Sequence, residues 1–224
     1  LLAEDRTYVR YGVRYVIYQL VSHFSNSPVY NLLFGDSNFI VYYLRWVGCR
    51  LNKIVQTGAN FGLDQRHDNP FLCDVGSGTM VSDGLTMMNA VTTNSSFRLS
   101  KVKIGECNYL GNNIFYPADS KSGANCLLAT KVMVPVDGPL RENVGILGSP
   151  CFEIPRAVDR DRLRYPTEKG EARRQRIRKK AFYNSRTIAV FLFCNWLFIF
   201  ALFFCLAVAF VYYPVFGIWI FFLY

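Results

Sequence analysis

A mainly β chain, built as a parallel β-helix with a helical lead-in and a membrane helix at its end, is the fold class this 224-residue sequence predicts. Three observations predict it. Apolar residues recur every six positions through the middle of the chain, Gly and Asn replace helical periodicity there, and the 38 residues from Thr187 to Tyr224 contain no Asp, Glu, Lys or Arg. With 51% apolar and 16% aromatic residues, the chain has ample material for a core and none of the composition of a disordered one.

Residues 1–45 read as an amphipathic helical segment. Val9, Val13, Val16 and Leu20 recur at helical spacing, Arg6, Arg10 and Arg14 make a stripe four residues apart, and Tyr8, Tyr11, Tyr15 and Tyr18 fill the flanks. Such a helix suits either a headgroup boundary or the surface of a soluble domain. Ser25-Asn26-Ser27-Pro28 breaks the pattern. From Val29 to Val47 it resumes, but Asp36 and Arg45 spoil that stretch as a span, so it reads as a helix packed under the domain or lying at the interface.

Residues 46–156 carry the six-residue period. Steps of six from Ile104 give Leu110, Tyr116, Ser122, Leu128, Val134, Leu140 and Ile146, so that seven of the eight positions are apolar. Gly105 and Gly111 follow two first positions directly, and a second run in a shifted register starts at Val75, Val81 and Met87. A hexad is the length of one short strand and its corner, and three hexads make one turn of a parallel β-helix. The first residue is expected to point inward and the small second residue to let the chain turn. Residues 93–103 break the register and are expected to protrude as a loop, a common carrier of function.

Residues 157–186 form a basic juxtamembrane linker, followed by a transmembrane segment over 187–224. Between Arg156 and Arg186 twelve Lys/Arg face four Asp/Glu, a local +8 out of a total of +9. Basic clusters beside a span follow the positive-inside bias and the pull of anionic lipid, whereas nucleic-acid binding would want further basic faces elsewhere. The preceding domain is therefore expected on the cytoplasmic side of the cell membrane, with no nucleic-acid partner. About 20 apolar residues suffice to cross a bilayer. The sequence opens without a start methionine and stops inside an apolar run after Pro214, so it reads as part of a longer chain with room for a truncated second span. Seven cysteines at long spacings and only two histidines, His23 and His67, argue for reduced thiols and against a zinc or other metal site.

The hexads resemble the left-handed parallel β-helix of hexapeptide-repeat acyltransferases, and Gly148-Ser149-Pro150 stands where that family closes its last coil with Gly-Asn-Pro. A closer resemblance lies in a string of blocks: Leu33-Phe34-Gly35-Asp36-Ser37, Tyr43-Leu44-Arg45-Trp46, Gln56-Thr57-Gly58-Ala59-Asn60-Phe61-Gly62, His67-Asp68-Asn69-Pro70, Gly76 to Gly84, Leu110-Gly111-Asn112-Asn113 and Leu147-Gly148-Ser149-Pro150. Over residues 30 to 156 these are similar to the C-terminal region of ε-poly-L-lysine synthetase-like nonribosomal peptide synthetases. The resemblance implies an acyltransferase-like domain that forms amide bonds, moving an aminoacyl group from a phosphopantetheine thioester to an amine acceptor. It also implies a thiolation carrier and an adenylation domain in the same longer chain, and sister β-helix domains forming a pseudo-trimer or a homo-oligomer. A membrane-bound acetyltransferase using acetyl-CoA, and a noncatalytic β-helix that docks the carrier, are the alternatives.

Acyl transfer to an amine needs a proton acceptor, a positioned donor and a partner for the oxyanion. His67, the sole histidine of the repeat region, suits a general base, with Asp68, Asn69 or Asp64 to orient the ring or meet the oxyanion. Asp68-Asn69-Pro70 is equally strong turn chemistry. Asn60, Ser82, Asn112, Asn113, Gly148 and Ser149 sit at Gly-rich corners where they would contact the pantetheine arm, or ladder the corners of the fold. Gly35-Asp36-Ser37 with Asp64-x-x-His67 spells the two ends of a GDS-type hydrolase, but only 27 residues separate them, too few for the intervening α/β domain.

Overall fold

The computed structural model describes residues 2–28, 33, 34, 37–52, 56–58, 61–155 and 170–218. The chain opens with β1 (Thr7–Val9) and α1 (Val13–Ser25), and α2 (Ile40–Val47) follows. Ile40, Val41 and Leu44, on one face of α2, are buried in the main core. Arg45 on the same helix donates to the carbonyls of Leu51 and Asn52, fixing the helix against the first strand beyond it.

Three parallel ladders then take up the repeat region. The first joins β2 (Arg50–Leu51), β5 (Cys73–Val75), β10 (Val102–Ile104) and β13 (Lys121–Ser122). The second joins β3 (Gln56–Thr57), β6 (Met80–Val81), β11 (Tyr109–Leu110), β14 (Leu127–Leu128) and β15 (Gly145–Leu147), and β16 (Phe152–Ile154) closes it antiparallel. The third joins β4 (Arg66–His67), β7 (Thr86–Met87) and β12 (Phe115–Tyr116), and a parallel bridge from Phe115 to Met133 extends it. The chain visits the three in rotation, and Lys103 pairs with Lys121, Tyr109 with Leu127, Phe115 with Met133 and Leu127 with Gly145, each eighteen residues on. Eighteen is three hexads, so the six-residue period is the distance between stations.

Most of these strands are two residues long, one exposed and one buried, because side chains alternate across an extended backbone. Ile104, Leu110, Tyr116, Leu128, Val134 and Ile146 are all buried in one core, as the six-step predicts. Ser122 is buried among them, and its hydroxyl is satisfied by Tyr116 at 2.9 Å. Leu140 departs from the prediction, being 57% exposed. Pro135 and Pro139 bracket the stretch before it, and a residue without an N–H cannot join a ladder. The corners also differ in detail. Left-handed backbone falls at Cys107, Asn113, Asp119, Asn125 and Lys131, six residues apart at the fourth place of each hexad rather than the second. The second-place glycines serve close approach instead: a Cβ on Gly76 would meet the Gly105 carbonyl carbon at 2.5 Å, and one on Gly105 would strike the Gly123 carbonyl.

The step from β5 to β10 is longer, since Asp74 pairs with Lys103, twenty-nine residues on. The excess leaves after the third ladder as a hairpin of β8 (Ala90–Thr92) and β9 (Ser96–Leu99), and β1 adds to the outer edge of β9. The break therefore falls earlier than the predicted 93–103, because Val102 already pairs with Cys73. Phe97 packs under Tyr8, Tyr15 and Tyr18 at 5.5, 5.5 and 5.3 Å, a second small core that ties α1 to the hairpin.

A short helix, α3 (Phe61–Asp64), lengthens the step from β3 to β4, and His67 beyond it bonds to Asn26 at the end of α1. α4 (Glu171–Phe216) contains one stretch, Arg174–Phe216, long and apolar enough to cross a membrane. At 1.5 Å per residue its 43 residues reach about 65 Å, twice a hydrocarbon core, so its basic first turns can stand in water. Within it Thr187 and Asn195 donate to the carbonyls of Tyr183 and Phe191, so both side chains bond to their own helix.

Candidate functional site

His67 is buried on β4, where the third ladder meets the end of α1. Asn26, the C-cap of α1, clasps it: the His67 N–H donates to Asn26 Oδ1 at 3.0 Å, and Asn26 Nδ2 donates to the His67 carbonyl at 2.5 Å. Gln65 lies beside the ring, its amide nitrogen 3.5 Å from Nδ1. His67 Nε2 and Gln65 Oε1 are buried without a hydrogen-bond partner. Burial lowers the imidazole pKa from 6.5 to about 4, so the ring is neutral at physiological pH.

A groove of about 1160 Å³ runs along this junction. Ser22, His23, Asn26, Ser27 and Pro28 form one wall, and Asp64 to Asp68 form its floor. Gly84, Thr86, Met88, Asn113 and Phe115 form the opposite wall from the next two passes of the chain. Both histidines of the protein line this one space. His23 is exposed and stands forty-four residues from His67 in sequence, so no local motif joined them; the signal that could have done so is the polar cluster Ser22, His23 and Asn26 at the end of the amphipathic helix.

Asp68 faces elsewhere in its bonding. Its Oδ2 accepts from the backbone N–H groups of Asn89 and Ala90 at 2.8 and 3.0 Å, and it bonds the Tyr18 hydroxyl. Burial, followed by that carboxylate, raises the Tyr18 pKa. Asn69 accepts from Phe71 N–H at 3.1 Å and so caps the 3₁₀ turn Pro70–Leu72, while its own N–H donates to Asn89 Oδ1. Asn89 is fully buried and also donates to the carbonyls of Leu72 and Ser100, making it the hub that roots the hairpin. Asp68 and Asn69 thus hold the strand and turn around His67 in place.

The other singled-out residues share one corner, between the second and third ladders. Ser82 follows β6, Asn112 and Asn113 follow β11, and Gly148 and Ser149 follow β15. The corner is bonded along the stack: Ser82 N–H donates to Leu110, Asn113 N–H to the Asp83 carbonyl, Asp83 N–H to Asn112 Oδ1, and Met133 N–H to the Gly148 carbonyl. Of these five residues Asn113 lines the groove. Asn60 lies outside the described residues, as do Gly35 and Asp36. Ser37 is buried and accepts from Phe39 N–H at 3.1 Å, the work of a helix-start residue rather than a nucleophile. Among the described residues no group of three or more His, Cys, Asp or Glu converges as a metal site.

No protein-family model matches this chain, and no curated protein matches it. Among solved structures, a maltose O-acetyltransferase from Clostridium difficile 630 is similar at a TM-score of 0.47 and 16% identity, over 67% of this chain and 91% of that one.

Proposed function

We propose that the three ladders are the faces of a left-handed parallel β-helix, and that this chain is a membrane-anchored acyltransferase-like domain whose working site is the groove over His67. The observation that carries the reading is the buried, unpartnered Nε2 of a neutral imidazole in a space able to take an acyl-pantetheine arm. With the Gln65 amide turned end for end, Oε1 accepts from Nδ1–H and Nε2 of the ring keeps a free lone pair, while the amide nitrogen takes the buried position that has no protein partner. An acceptor N–H would meet the Nε2 lone pair.

In the proposed reaction the acceptor nitrogen attacks the thioester carbonyl carbon, and Nε2 takes a proton from that nitrogen. The carbon–sulfur bond then breaks, and the proton passes to the leaving thiolate, so the products are one amide and one free thiol. Asn113 is the polar side chain on the opposite wall and would hold the arm by its amide. The string of blocks resembling ε-poly-L-lysine synthetase supports an aminoacyl group on a carrier domain of the same chain, and the excess of Lys and Arg between Arg156 and Arg186 supports a site on the cytoplasmic side.

The test is acyl transfer by membranes carrying the full chain, with aminoacyl-carrier and acetyl-CoA supplied in separate arms. Replacing His67 with Ala should lower kcat/KM by about 10²–10⁴-fold with expression unchanged. Turnover with the carrier alone identifies the synthetase-type donor, and turnover with acetyl-CoA alone identifies the acetyltransferase. Product formation undiminished in His67→Ala overturns the proposal and leaves the domain a scaffold.

A further inference from the structure

The face of α1 turned away from the protein is apolar. Val13, Val16, Leu20 and Phe24 are 78, 53, 50 and 62% exposed, and their spacing puts them on one side of the helix. The opposite side, with Tyr15 and Tyr18 against Phe97, already satisfies the core. The periodicity that would bury a stripe of valines in an ordinary surface helix is here used in the reverse sense. An exposed stripe of this length marks a surface that something covers.

Charge says what covers it. From Arg6 to Gly35 the sequence contains no Asp or Glu, while Arg6 and Arg14 are exposed beside the stripe. The Arg14 guanidinium lies over the Tyr8 ring at 5.1 Å, which holds its charge at the rim of the stripe. The chain also supplies the membrane. Sixteen residues, 155–170, separate β16 from α4 in the sequence, and that length of chain reaches at most about 55 Å, so the domain cannot drift far from the helix that crosses the bilayer.

We propose that the outward face of α1 lies on an anionic bilayer surface, with Val16, Leu20 and Phe24 in the headgroup boundary and Arg6 and Arg14 on lipid phosphates. The inference rests on α4 residing in a membrane and not on the chemistry proposed for His67. It has a consequence for the groove, because His23 borders both the groove and the shallow depression over Val16 and Leu20. The groove would open at headgroup level, within reach of an amphiphilic acceptor.

The test uses the full chain in vesicles of phosphatidylcholine with or without phosphatidylglycerol. A nitroxide is attached at Leu20→Cys, and for reference at Glu106→Cys, in a background whose Cys107, Cys151, Cys194 and Cys205 are serine and whose circular dichroism matches the parent. The Leu20 label should be more accessible to oxygen than to a water-soluble nickel chelate in the anionic vesicles alone, with the reverse at Glu106. Arg6→Gln with Arg14→Gln should abolish that preference while leaving the protein in the membrane. Free access of the nickel chelate to Leu20 in both lipids would overturn the proposal. Equal burial in both would overturn the anionic requirement, and spin–spin broadening between Leu20 labels would assign the face to a second copy.

Discussion

Asn26 holds the peptide unit of His67 by both its groups, and the imidazole beyond that clasp is kept neutral by burial alone. The sign of the resulting pH dependence follows. The folded pKa, about 4, lies below the unfolded 6.5, so between those values the unfolded chain binds the proton and the folded one does not. Stability is fully present above pH 6.5 and lost as pH falls toward 4, to the extent of about 3 kcal/mol. Urea unfolding of wild type and His67→Gln across that range should show the slope in the first and its absence in the second. Transfer activity that uses Nε2, expressed per unprotonated acceptor amine, should hold level from pH 7 to about 5 and lack a limb near 6.5. The sequence exposed His67, as the sole histidine of the repeat region, but not its neighbours. Asn26 and His23 come from a helix more than forty residues upstream, and Asp68 and Asn69 read as catalytic or as turn residues with equal right until their backbone partners were known.

Between neighbouring passes of the chain, the element that keeps the spacing is a column of glycines with Asn108 beside it. Asn108 is buried, donates to the carbonyls of Gly105 and Gly123, and accepts from Cys126 N–H at 2.6 Å. Asn108→Ala would strand a buried N–H and a buried carbonyl, and should cost about 2–4 kcal/mol in chemical denaturation. Gly105→Ala drives a methyl into the Gly123 backbone, which cannot yield as a side chain could, and should cost about 3 kcal/mol or prevent folding. The ladders were legible because a period of six leaves a repeated apolar mark at each station. The corners were less so. Composition points to glycine as the turning residue, whereas the fourth-place residues, Asn113, Asp119 and Asn125 together with Cys107 and Lys131, take the left-handed conformation and the second-place glycine is kept for contact between passes. Leu140 misled because periodicity counts apolar residues without noticing that proline removes the donor a ladder needs.

Among the described residues there are two cores of unequal size, the ladder interior and the cluster of Tyr8, Tyr18, Phe97 and Leu99. Phe97→Ala should remove about 3–5 kcal/mol from the smaller one. Hydrogen exchange is the measurement, with amides of β1 and α1 losing protection while those of β11 and β14 keep it, because the two clusters can open separately. Since α1 forms one wall of the groove, the same variant should weaken any ligand held there. At the other end, α4 should keep the full chain in the membrane pellet through alkaline carbonate washing, and substituting Arg for Phe200 and Phe203 should release it. The rotation through three ladders has a last consequence, for how such a chain can change length. Material can be added or lost in quanta of eighteen residues, which return each following strand to its own station with every inward side chain still inward. One such quantum inserted after β14 would lift the closing hairpin of β15 and β16 by a single interstrand spacing while the groove, anchored on earlier passes, stayed as it is. An insertion of seventeen would turn the core of every later strand outward unless the odd length left the ladders at a corner, as the eleven extra residues of the β8–β9 hairpin do, so the arithmetic of the repeat also decides which insertions must leave as loops.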